Sequence, residues 1–68
     1  MNLIKCIIQD QGEFPDLDKL ELLLPAIPTT GDENFDIRHK GDLYNCSVIS
    51  VDWIIIEQQF SHCNIYIE

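Results

Sequence analysis

The chain has 68 residues, with twelve Asp or Glu against four Lys or Arg, for a formal net charge of −8. That length holds one domain and one core, near the lower limit for folding unaided. With 46% hydrophobic residues the composition is not that of a disordered segment, and the charge argues against direct contact with nucleic acid or an anionic membrane, both of which attract Lys and Arg.

Isoleucine occupies eleven positions, and β-branched side chains suit a pleated surface better than a helix. Residues 3–8 predict a first strand with Ile4, Cys6 and Ile8 on one face. Residues 9–12 are polar and end in Gly12, a turn signal. Residues 14–24 admit two readings. Phe14, Leu17, Leu20 and Leu24 recur at helical spacing, with Asp16 as a cap and Pro25 as a stop. Alternatively, Leu20, Leu22 and Leu24 alternate with Glu21 as a strand does, and the β-rich surroundings favour this strand. Residues 25–32 carry two prolines and a glycine and predict no regular structure.

Residues 35–37 predict a short strand with Phe35 and Ile37 on one side, and His39-Lys40-Gly41-Asp42 a hairpin turn. The longest apolar stretch is residues 43–56. Tyr44, Cys46 and Val48 keep one parity, while Ile49, Val51, Trp53 and Ile55 keep the other. A shift at Val48-Ile49 is what a bulge or sharp bend does to a long strand. Residues 57–61 then turn, and 62–67 form a last strand with Cys63, Ile65 and Ile67 inward. Five strands, one of them bent, close most simply into a small antiparallel barrel. The expectation is a mostly β single domain over 1–68, with a short helix around 15–23 as the open alternative.

The run Leu24-Pro25-Ala26-Ile27-Pro28-Thr29-Thr30-Gly31-Asp32, then Tyr44 with Val48, Val51 and Trp53, and a closing Ile65-Tyr66-Ile67-Glu68, resembles a pattern in small uncharacterised bacterial and phage proteins with an SH3-like barrel. The likeness spans residues 20–68, and Cys46 stands where that pattern places a valine. Its signposts are turn and core residues, so the resemblance implies a fold and no activity.

Cys6, Cys46 and Cys63 are an odd number of thiols, all on predicted inward faces. The apolar run at 1–8 is short and interrupted by Lys5, unlike a secretory signal, and no stretch approaches the roughly 20 apolar residues of a membrane helix. The expectation is a cytoplasmic protein with buried free thiols. His62 and Cys63 adjoin, but neighbours in a strand point to opposite faces and do not readily share a metal. Ser61-His62 lacks the glycine setting of a nucleophile elbow. Hence no metal site, no cofactor and no catalytic residue is expected. The minimal P-x-x-P of Pro25 and Pro28 reads as a loop in preference to a ligand for a proline-binding domain.

Two interaction surfaces remain. Trp53, Ile54 and Ile56, with Phe60, predict an apolar edge, with Ile54 and Ile56 facing outward together unless residues 14–24 cover them. Asp32, Glu33, Asp36 and Asp42 predict an acidic face. Duplex DNA carries one charge per ~1.7 Å, and a compact chain of this size is about 28 Å across. A net −8 therefore suffices for a one-sided mimic only if most acids share a face. The leading expectation is a non-enzymatic protein-interaction module that binds a protein partner or itself. The alternative is an acidic inhibitor, of phage anti-defence type, that occupies the nucleic-acid site of a basic partner.

Overall fold

A computed structural model describes residues 2–68. Six strands run in chain order as β1 (Ile4–Asp10), β2 (Glu21–Leu24), β3 (Phe35–His39), β4 (Asp42–Cys46), β5 (Val48–Ile56) and β6 (Gln59–Ile67). They form a four-stranded sheet in the order β2-β1-β6-β5 and a two-stranded sheet of β3 and β4. The chain is mostly β, as its isoleucine-rich composition predicts.

The expected five-stranded, closed antiparallel barrel is not the arrangement found. The shift predicted at Val48-Ile49 is a register irregularity inside one strand, and residues 43–56 break into two strands just before it, at a bend at Ser47. β4 stops at Cys46 and β5 begins at Val48, so the two halves of that run enter different sheets. In addition, β1 and β6 run parallel, with Cys6 beside Cys63 and Ile8 beside Ile65. The two sheets are not closed into a barrel. They are stitched at the bend, where Ser47 and Glu68 exchange backbone hydrogen bonds of 3.0 and 3.1 Å. On its other side, Val48 N–H donates to Asp32 C=O at 2.7 Å, and Val48 C=O accepts from Gly31 N–H at 2.8 Å.

Side-chain alternation puts the core between the sheets. Ile4, Cys6 and Ile8 turn inward from β1, and Cys63, Ile65 and Ile67 from β6. Val48 adds to them from β5, and Ile37 and Cys46 from the small sheet. All three cysteines are free and fully buried. As predicted, they behave as small apolar residues.

Residues 14–24 resolve into a single 3-10 turn at Pro15–Leu17 followed by strand β2. Pro15 suits the first position because it has no N–H to leave unpaired. Asp16 caps nothing here. The organising carboxylate is Asp10, whose two oxygens each accept at 2.9 Å, from Gly12 N–H and from Phe14 N–H. Asp18 in turn accepts from Asp10 N–H at 3.0 Å. Lys19, at a φ of 66°, then reverses the chain and donates to Ile8 C=O at 2.7 Å. Leu17 drops into the core, and Leu22 and Leu24 pair with Cys6 and Ile4 on the inward face of the sheet.

Candidate functional site

β5 and β6 form the longest hairpin, nine residues in each arm. Its two-residue loop is Glu57-Gln58, with φ values of 51° and 66°. Positive φ at both positions is the pattern of the tight hairpin turn whose twist matches its strands. The sequence prediction of a turn over 57–61 was too broad because Glu and Gln are not residues that announce this conformation. The turn at Lys40-Gly41, where φ is 51° and 85°, was legible through its glycine.

The hairpin extends beyond what the small sheet covers. Near the bend, Val48 pairs with Ile67 and Val51 with Ile65, facing the core. Toward the turn, the same row continues with Trp53 opposite Cys63 and Ile55 opposite Phe60. Cys63 is fully buried, yet Trp53 is 61% exposed, Ile55 56% and Phe60 44%. Two irregularities set this pattern. One lies between Val48 and Ser50, and the other between Ile54 and Ile55, where Ser61 is the extra residue on β6. The second turns Phe60 to the same side as Trp53, and the rings meet edge to face with centroids 5.7 Å apart.

This geometry revises the predicted apolar edge. Trp53, Ile56 and Phe60 are exposed, but Ile54 is half-buried, opposite His62 on the outer face. Ile55, which the sequence reading left out, belongs to the patch. Strand parity signalled it, since Ile55 shares Trp53's side. What could not be seen was that the core-facing row runs past its cover. The alternative, covering by residues 14–24, does not occur, because β2 lies at the opposite edge of the sheet from β5.

The four predicted acids occupy a turn and both faces of the small sheet. Asp32 is bound into its own turn, its side chain accepting from Asn34 N–H at 2.9 Å, and Glu33 is exposed beside it. Asp36 pairs across the small sheet with Asn45, whose amide donates to it. Asp42 stands opposite His39 at the far end of that hairpin. Alternation puts Asp36 on the outward face and Asp42 in line with the inward residues Ile37 and Tyr44. Asp42 and Asp16 approach Tyr44 instead. The Tyr44 hydroxyl donates to Asp16 Oδ2 at 3.4 Å, and its pKa is raised, by loss of solvent first and then by these two carboxylates.

Burial also raises the pKa of each thiol, Cys6 further through Cys63, and Cys46 through Asp10 and Asp36. Such thiols remain protonated and unreactive near neutral pH. His62 and Cys63 point to opposite faces, and His62 Nδ1 lies 2.9 Å from Ser61 Oγ. Among the described residues, no three His, Cys, Asp or Glu side chains are grouped to hold a metal, and no helix is long and apolar enough to cross a membrane. No family model, curated protein or solved structure matches the chain.

Proposed function

We propose that the chain is a non-enzymatic protein-interaction module that docks through the turn end of the β5–β6 hairpin. The observation that carries this reading is the exposed turn end of the hairpin, where Trp53, Ile55 and Phe60 line one face and Ile56 the other, with β5 at the edge of its sheet. Large apolar side chains gathered in this way lower their free energy when another protein covers them. A pair of aromatic rings gives that surface rigid anchors of the kind that dominate binding energy.

The patch is flanked by Asp52 and Glu57, and all four Lys and Arg side chains belong to residues 1–40. Charges at such a rim act on association rate and register more than on affinity. The inhibitor reading rests on net charge alone. Asp36 and Asp42 lie on opposite faces of the β3–β4 hairpin, so the apolar end supports the stronger case.

The test is association by the double variant Trp53→Lys with Ile55→Lys. Both side chains are exposed, so the circular dichroism spectrum and the urea midpoint should remain close to those of the parent. Binding to protein partners, the chain itself included, should fall at least 100-fold and should not be restored by lowering the salt. Unchanged binding rules out this surface. Binding that is insensitive to these two changes but lost on reversing Asp36 and Asp42 favours the inhibitor.

A further inference from the structure

We infer that the occupant of this edge is a second copy of the chain, added antiparallel to β5 about a two-fold axis at Ile54. The inference rests on the docking reading above and names its partner. A tight turn closes with Ile56 C=O accepting from Gln59 N–H. The backbone groups of Ile56 therefore face β6. Alternation then turns those of Ile55 outward, those of Ile54 toward β6, and those of Trp53 outward again. Val48 already uses its outward pair on Gly31 and Asp32. Among the described residues, no strand lies beyond β5. The N–H and C=O groups of Trp53 and Ile55 form an open edge of the kind that templates another strand.

Register selects the second copy and its axis. Only alignments that centre on a residue keep the two faces matched, because side chains alternate. Centred on Ile54, Trp53 of each copy faces Ile55 of the other across a hydrogen-bonded pair. Ile54 meets Ile54 on the opposite face, and Asp52 meets Ile56. Every direct pair over residues 52–56 then contains an isoleucine, and the two Trp53-Phe60 pairs extend one apolar surface across the seam. Moving the axis to Ile55 sets Trp53 against Glu57. Moving it to Trp53 brings the two Asp52 carboxylates to diagonal positions about 7–8 Å apart, where like charges repel. With the axis at Ile54 they are about 13 Å apart along the strands, beyond the ~8 Å screening length at physiological salt. The two Asp52 carboxylates thus add little repulsion at the seam.

Cysteine cross-linking reads this register directly, since Cys6, Cys46 and Cys63 are buried and leave the background low. Oxidised glutathione is the oxidant. Under mild oxidation Ile54→Cys should form a disulfide-linked dimer within minutes, and Asp52→Cys alone at least tenfold more slowly. An equal mixture of Asp52→Cys and Ile56→Cys should cross-link as mixed dimers. Sedimentation of the unmodified chain should give twice the 7.9 kDa chain mass at high concentration. A mass of one chain at all concentrations up to about 1 mM overturns the inference. So does cross-linking that is equal at all three positions. If the chain is monomeric yet binds another protein through Trp53 and Ile55, the docking reading survives and the second copy does not. Circular dichroism of each reduced cysteine variant confirms the fold. Should Ile54→Cys unfold, the Asp52→Cys and Ile56→Cys mixture decides the register alone.

Discussion

The two halves of the β5–β6 hairpin are made from similar residues and meet different fates. At the bend, Val48, Ile65 and Ile67 are buried, because Ile37 and Cys46 of the small sheet join them in one core cluster. At the turn, Trp53, Ile55 and Phe60 continue on the same side of the sheet and remain largely exposed. Hydrophobicity and alternation do not distinguish the halves. Cover does, and cover is a property of the other sheet. An apolar strand position thus becomes core or docking surface according to how far the hairpin outruns its lid.

The largest effect that separates the halves is on stability. Ile65→Ala should cost about 2–5 kcal/mol, as loss of a buried isoleucine side chain does. A domain this small has little reserve, and urea denaturation should find it largely unfolded. Ile55→Ala should shift stability by less than about 0.5 kcal/mol. Equal losses at the two sites would dissolve the distinction between core and surface.

Alkaline titration sharpens the contrast from the core side. Folding raises the thiol pKa values above the ordinary 9.0 through burial. As pH rises through that value, the unfolded chain loses its thiol protons first, so stability falls until the folded-state pKa values are passed. The urea midpoint should therefore drop as pH rises through 9.0, and Cys46→Ala should flatten part of the drop. A midpoint that rises over this range contradicts the burial of these thiols.

The smallest of these effects concerns the turn. Glu57 and Gln58 both adopt positive φ, which costs a side-chain-bearing residue roughly 1–2 kcal/mol. Part of any gain from glycine is lost to its freedom in the unfolded chain. Gln58→Gly should therefore raise stability by about 0.5–1 kcal/mol in the same urea assay. A loss of stability would argue for a looser turn and a less rigid apolar end.

Much of this architecture is legible in the residues. Alternation placed Ile4, Cys6 and Ile8 inward, and likewise Cys63, Ile65 and Ile67. The parity shift at Val48-Ile49 located the irregularity within β5 but not the strand break at Ser47, and Gly41 located a turn. The parallel partnership of β1 with β6 was not legible, because pairing between distant strands leaves no local mark. Nor was the role of Asp10, since a carboxylate that binds Gly12 and Phe14 N–H resembles any other acid in a loop. Of the candidate site, Trp53, Ile56 and Phe60 were identified and Ile55 was not. The extra residue at Ser61, which turns Phe60 toward Trp53, follows from pairing geometry that no single strand encodes.

Trp53 is the single tryptophan of the chain, so its fluorescence reports on the turn end alone. Acrylamide quenching across a dilution series is the most direct test of the claim that this end is uncovered until another chain covers it. At nanomolar concentration Trp53 should be quenched nearly as readily as in the urea-unfolded chain. At high micromolar concentration, where copies associate, quenching should fall several-fold. An accessibility that stays high at every dilution contradicts the second copy, and one that stays low contradicts the exposed turn end itself.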